Sequence, residues 1–213
     1  MRLAESVFIN CPFDAEYRPL FRALVFVVQD CGFLPRSSLE WDDGAEVRIE
    51  KIRRLIAESP FGVHDISRTE LDPASGLPRF NMPLELGMFL GAKYFGGVDQ
   101  SRKACVIFDR ERYRYQVFCS DLAGQDVRWH GGAEREVIRG VRDAARTWVP
   151  DRVLPGADAI FRRYCRFVES LPRLARRMAL DPDELTFGDL SALATQWLRN
   201  NRPGLPSEMP ATG

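Results

Sequence analysis

The chain has 213 residues, with 30 basic and 30 acidic side chains and therefore no formal net charge. This balance excludes a whole-molecule field that would draw the protein to nucleic acid or to an anionic membrane, and the length fits one domain plus an appendage. Five cysteines are scattered without a CxxC pair, and no segment resembles a signal peptide or a membrane span, so we expect a soluble, cytoplasmic protein without a metal site.

Strand and helix signals alternate along the first two thirds of the sequence. Short apolar runs predict strands at 6–9, 33–36, 61–66, 104–108 and 126–130. Apolar residues spaced by three and four predict helices at 17–31, 49–56, 81–92 and 137–148. Pro35 would suit an edge strand, because proline cannot donate to a sheet ladder.

This alternation predicts an α/β fold, most simply a flavodoxin-like, doubly wound and mostly parallel five-stranded sheet within residues 1–149. Residues 150–156 are typical of a linker, and 150–201 are predicted to form a C-terminal helical appendage with a cap at Thr186 and Asp189. We expect residues 202–213 to be a disordered tail. The arginine-rich helix after the linker is interpreted as a solvated face, with contact to RNA, DNA or an acidic partner as the alternative.

One acidic residue, Glu85, lies on an apolar part of a predicted helix. Asn81 is predicted to cap this helix and Pro83 to lie in its first turn, which places Glu85 in that turn as well. Met82 and Phe89 fall on the same side of the helix as Glu85. The simplest alternative to a functional role is that Glu85 bonds a free backbone N–H or complements the helix dipole.

Motifs for dinucleotide reduction, P-loop phosphate transfer, zinc hydrolysis and the hydrolase elbow are missing from the sequence. His64 lies inside an apolar strand, which is more typical of a core histidine than of a catalytic base. What remains is carboxylate chemistry at the ends of the strands, where Glu85 could act with Asp65. Paired carboxylates suit the cleavage of glycosidic bonds.

The segments 10–14 (NCPFD), 64–67 (HDIS) and 81–92 (NMPLELGMFLGA) carry a resemblance to a known group. Together they resemble the nucleoside 2-deoxyribosyltransferase-like superfamily, and the chain is also similar to bacterial TIR-like domains. The resemblance implies that Glu85 acts at the anomeric carbon of a ribosyl group. It also implies that Asp65, or alternatively Asp72, holds or protonates the base.

We therefore expect an N-glycosidase that cleaves the ribose–base bond of a nucleotide, most plausibly the nicotinamide bond of NAD. The alternatives are a nucleoside 2-deoxyribosyltransferase and a non-catalytic nucleotide-binding signalling module. NAD or another nucleotide would be the substrate, and no separate cofactor is expected. The predicted catalytic residues are Glu85 and Asp65, and the predicted substrate-binding residues are Asn10, Phe13, Asp14, Asp43, Arg48, Asp72, Arg79, Asn81 and Tyr113.

Among the binding residues, Arg48 and Arg79 would hold phosphates, and Phe13 or Tyr113 would stack on a base. The resemblance further implies a homo-oligomer and a role in bacterial antiphage defence. A protein partner could bind through the C-terminal helices.

Overall fold

The structure is a computed structural model that describes residues 5–40, 43–71 and 76–201. One sheet contains five strands in the order β2-β1-β3-β4-β5, and every neighbouring pair is parallel. This order is that of a flavodoxin-like sheet, so the predicted fold class is confirmed. The strands are β1 (Ser6–Asn10), β2 (Leu34–Arg36), β3 (Phe61–Asp65), β4 (Ala104–Asp109) and β5 (Val127–Trp129).

Helices cover both faces of the sheet, and two further helices follow at the C-terminal end of the chain. They are α1 (Arg18–Asp30), α2 (Arg48–Glu58), α3 (Asn81–Phe95), α4 (Val98–Ser101), α5 (Tyr115–Phe118), α6 (Glu134–Trp148), α7 (Ala157–Arg177) and α8 (Phe187–Asn201), with a short 3-10 turn at Ser120–Leu122. Within the described residues, no helix combines the length and apolar character that a bilayer-spanning segment needs.

The alternation of side chains along β1 divides the core into two layers. Val7 and Ile9 belong to a cluster with α1 and α6, whereas Phe8 packs on the opposite face with Ile52 and Phe89. Successive strand residues point to opposite faces, so a strand covered on both sides is apolar throughout. The sheet lies between α1 and α6 on one face and α2 and α3 on the other.

The C-terminal helices extend the layer formed by α1 and α6. Both α7 and α8 contact α1, and the ring of Phe26 lies 5.2 Å from that of Phe167 and 5.9 Å from that of Trp197. The buried guanidinium of Arg163 donates two hydrogen bonds to Asp30, at 2.9 and 2.7 Å. A continuous apolar core therefore joins the appendage to the sheet domain.

The sequence predicted caps at the starts of α8 and α3, and only the first of these is confirmed. Thr186 and Asp189 exchange side chain to backbone hydrogen bonds at the start of α8, so the predicted cap is confirmed. The cap predicted at Asn81 is wrong, because Phe80 is the N-cap residue and Asn81 is already the first residue of α3. Glu85 consequently lies in the second turn of the helix rather than the first.

Candidate functional site

Asn10 connects the end of β1 to the first turn of α3. Its Nδ2 donates to the carbonyl oxygen of Met82 at 2.9 Å and lies 3.1 Å from Nδ1 of His64. Asn10 is the last residue of β1 and is buried, so these contacts fix the start of α3 against the carboxyl ends of β1 and β3. They also place Glu85, one turn further along α3, at the edge of the sheet where parallel folds bind ligands.

The side chain of Glu85 is buried and has no hydrogen-bond or ion-pair partner among the described residues. Glu85 is 6% exposed. Burial raises the pKa of its carboxyl group to about 7, and the positive charge of Arg48 opposes this rise. Because the carboxylate bonds no backbone N–H, the capping alternative does not explain its position. Met82 and Phe89 are buried on the same side of the helix, as the sequence predicted.

Three carboxylates act on the thiol of Cys11, the residue that follows β1. Burial raises the pKa of this thiol, and the negative charges of Asp65, Glu85 and Asp14 raise it further. Electrostatic effects of this kind fall with distance, so the three acidic groups converge around the end of β1. The thiol itself remains protonated and is not an activated nucleophile.

Asp65, at the end of β3, is fully buried and held from several sides. The backbone N–H of Ser67 donates to its Oδ1 at 2.9 Å, and the hydroxyl of Tyr17 donates to Oδ2. Nε2 of His130 lies 3.2 Å from Oδ2, without the alignment of a hydrogen bond. These contacts hold the carboxylate rigidly and join α1, β3 and the segment after β5.

His64 and His130 have different surroundings. Burial, together with the charge of Lys103, lowers the pKa of His64 to about 3, so this histidine is neutral. Its Nδ1 accepts from Asn10. The centroid of its imidazole ring lies 4.8 Å from that of Phe89, in an edge-to-face arrangement. Nδ1 of His130 accepts the backbone N–H of Gly132 at 2.9 Å. In neutral His130 the proton is therefore on Nε2, the atom that faces Asp65.

A further buried acid, Asp109, was not predicted as a site residue. It ends β4 beside Asp65, and Nε of Arg114 donates to its Oδ1 at 3.0 Å. The same guanidinium donates to the carbonyl of Ser67 at 2.6 Å and to the hydroxyl of Thr69 at 2.8 Å. Arg114 thereby ties the segment after β3 to β4. The sequence signal for Asp109 was an aspartate at the end of a strand, which is the position that Asp65 has in β3.

Phe13, Asp14 and Arg48 line a cavity of about 550 Å³. Asp14 accepts hydrogen bonds from Arg68 at 3.1 and 2.9 Å and from the backbone N–H of Tyr17 at 3.1 Å. Nη2 of Arg48 lies 3.3 Å from Oγ of Ser38. Glu85 is not part of the described lining of this cavity, although the charge of Arg48 reaches Glu85.

The remaining predicted residues in the described part of the chain are exposed. Asp43 is exposed and accepts the backbone N–H of Ala45 at 2.9 Å in a turn. Arg79 and Asn81 are exposed at the start of α3, and Tyr113 is exposed with a φ of 60°. Asp72 lies outside the described residues. In the part of the chain that the structure covers, no three His, Cys, Asp or Glu side chains are grouped to hold a metal ion.

No protein-family model matches the sequence, and a search of curated proteins finds no match. The geometry of the site consists of a buried carboxyl group without a partner among the described residues, a guanidinium whose charge reaches it, and a rigid set of hydrogen bonds around a second carboxylate.

Proposed function

We propose that the chain is an N-glycosidase that cleaves the bond between ribose and base in a nucleotide, with NAD as the preferred substrate and Glu85 as the catalytic carboxylate. The observation that carries this proposal is the burial of Glu85 without a hydrogen-bond or ion-pair partner among the described residues. An unpaired buried carboxyl group lowers stability, so its presence needs a reason outside folding.

Glu85 would act on the positive charge that develops at the anomeric carbon. As the bond between this carbon and the base nitrogen breaks, its electron pair leaves with the base and the sugar becomes cationic. An ionised carboxylate in a partly dehydrated site stabilises such a cation more strongly than one in water. Water then adds to the anomeric carbon and releases a proton, which completes hydrolysis.

The surroundings of Asp65 favour a leaving group that needs no proton. Asp65 is fully enclosed, and its two oxygens accept hydrogen bonds from Tyr17 and from the backbone of Ser67, so it does not face a leaving group. A carboxyl group enclosed in this way is not placed to protonate a neutral purine or pyrimidine. Nicotinamide in NAD is already cationic and leaves as a neutral base. We therefore assign to Asp65 the role of positioning Tyr17 and the start of the loop after β3. We also propose NAD, rather than a neutral nucleoside, as the preferred substrate.

The direct test is to incubate the purified protein with NAD and with a panel of nucleosides and nucleotides, and to measure released base by chromatography. We expect nicotinamide release from NAD and a loss of about a hundredfold or more in Glu85→Gln. Glu50→Gln is the matched control, because Glu50 is on α2 and pairs with exposed Arg53 at 2.7 Å.

Three outcomes would contradict the assignment. Full activity of Glu85→Gln would remove Glu85 from the chemistry. Exchange of one base for another on deoxyribose, without hydrolysis of NAD, would favour a nucleoside deoxyribosyltransferase. Nucleotide binding without release of any base would favour a signalling module.

A further inference from the structure

The cavity beside Arg48 is formed by three separate parts of the chain. One wall comes from the segment before α1 and from its first turns, and a second comes from the segment between β2 and α2 with the start of α2. The third wall is the connection between α7 and α8, residues 182–187, with Leu190. The volume of the cavity, about 550 Å³, lies within the range of small-molecule sites.

Aromatic rings form an apolar side of this cleft. Phe13 is 40% exposed, and its ring meets that of Phe21 edge to face at 5.4 Å. Phe21 in turn lies 6.1 Å from Phe187 of α8. The inner rings hold Phe13 in place while part of its surface stays accessible. A flat heteroaromatic ring could stack on that surface.

Cationic groups lie beside the rings. Arg22 is half-buried, lines the cleft, and makes no hydrogen bond or ion pair with the described residues. Arg48 also lines it. Arg18 donates to the carbonyl of Asp183 at 3.1 Å, which leaves the other guanidinium nitrogens available. Guanidinium groups suit phosphate oxygens because they can donate two hydrogen bonds in parallel.

Acidic side chains also line the cleft, but among the described residues they form no ion pair with Arg18, Arg22 or Arg48. Asp14 is bound by Arg68. Asp183 and Glu184 are exposed on the turn before α8. They are placed to accept hydrogen bonds from the hydroxyl groups of a sugar, as carboxylates do when ionised.

We infer that this cleft binds the phosphates and the second aromatic ring of a dinucleotide whose scissile ribose lies at Glu85. This inference rests on the proposed function and narrows its substrate class, since a free nucleoside has no second half to fill the cleft. Arg48 connects the two places: it lines the cleft, and its charge acts on Glu85. The C-terminal appendage is then part of the substrate site, through residues 182–187.

The test uses ADP as the probe, because it carries one aromatic ring, a ribose and two phosphates but no scissile nicotinamide. Calorimetry on the full chain should show binding of ADP, and adenosine should bind about tenfold more weakly or worse, because it lacks the phosphates. Arg22→Met and Phe13→Ala should each weaken ADP binding by about tenfold or more. Phe13→Trp should retain binding because it keeps a stacking surface.

Arg53→Met is the matched control for Arg22→Met, since Arg53 is exposed on α2 and pairs with Glu50. It should bind ADP as the unaltered protein does. Equal binding of ADP by Arg22→Met, equal binding of adenosine and ADP, or no binding of ADP would each overturn the inference. Thermal unfolding of each variant separates lost binding from lost folding.

The same measurements separate this inference from the proposed function. Glu85→Gln should bind ADP normally while it loses the release of nicotinamide from NAD. If ADP binds in the cleft and no nucleotide loses its base, the glycosidase proposal fails but the assignment of the cleft as a nucleotide site stands. If nicotinamide release depends on Glu85 and neither Arg22→Met nor Phe13→Ala changes ADP binding, the inference about the cleft fails alone.

Discussion

The positive charge of Arg48 opposes the effect of burial on the pKa of Glu85. Arg48 is the first residue of α2 and Glu85 lies in the second turn of α3, so the two helices jointly set the protonation of the carboxyl group. With its pKa raised to about 7, Glu85 exchanges its proton near neutral pH. A group of this kind reports its protonation state in the pH dependence of the reaction.

The first prediction concerns this pH dependence. If Glu85 acts as an anion, kcat for nicotinamide release from NAD should rise with pH and level off above about 7, where the carboxyl group is ionised. Arg48→Gln removes the opposing cation and should move the midpoint to higher pH, whereas Arg53→Gln should leave it unchanged. A rate that falls as pH rises through this range would show that the protonated acid is the active form.

The second prediction concerns stability. The pKa of Glu85 is raised from 4.5 to about 7, so the folded state binds the proton more tightly than the unfolded state does. The free energy of unfolding therefore falls as pH rises from about 4.5 to about 7, and the decrease is complete above this window. Glu85→Gln should raise the free energy of unfolding by about 3 kcal/mol at pH 8 and change it little at pH 4.

Urea unfolding at both pH values measures this difference, with Glu50→Gln as the exposed control. An inactive variant that is more stable than the unaltered protein would indicate that the carboxylate is kept for function. A variant that is destabilised at pH 8 would instead indicate a structural role for Glu85.

The third prediction concerns His64, whose pKa is lowered to about 3. The unfolded chain takes up a proton below its ordinary pKa of 6.5 while folded His64 stays neutral, so stability falls as pH drops through this window. The effect amounts to about 2 kcal/mol between pH 7 and pH 5. It should be measured in the Glu85→Gln background, because Glu85 changes stability in the opposite direction over the same range.

His64→Gln in that background should remove this acid sensitivity, since glutamine does not titrate and its amide oxygen can accept from Asn10. Urea unfolding at pH 7 and pH 5 provides the measurement. An unchanged slope in the double variant would mean that a different group causes the sensitivity to acid.

The fourth prediction concerns the ion pair between Asp30 and Arg163, both of which are buried. Arg163→Met removes one partner and should lower the free energy of unfolding by about 3–5 kcal/mol, because the charge of Asp30 stays buried. Replacing both residues, as in Asp30→Leu with Arg163→Met, should recover most of this loss. If the double variant is no more stable than the single one, packing around Arg163 rather than its charge is what matters.

The fold class and most elements could be predicted, because helices and strands follow local patterns and their alternation indicates the class. The apolar run of β4 and the three-and-four spacing in α1 are readable within short windows. Pro35 correctly indicated the edge strand, since β2 pairs only with β1 in the described sheet. The start of α3 was missed because asparagine is a common cap residue. In the structure Phe80 is the N-cap residue, and Asn81 is already part of the helix.

Parts of the candidate site depend on contacts between distant segments and could not be predicted. Arg114 reaches Ser67 and Thr69 across 47 and 45 positions of sequence. The cleft beside Arg48 needs residues 182–187, which reach it only because α8 packs on α1. Glu85 was recognisable as an acidic residue on an apolar stripe, but the absence of a partner is known only from its surroundings.

Because α1 is covered by the sheet on one side and by α7 and α8 on the other, the appendage cannot be treated as a removable module. Cutting the chain after residue 149 would expose Phe26 and its neighbours to water. The shortened protein would lose solubility, and this loss would obscure any effect of the truncation on activity. The contribution of the last two helices to ligand binding has to be measured by single substitutions in the intact chain.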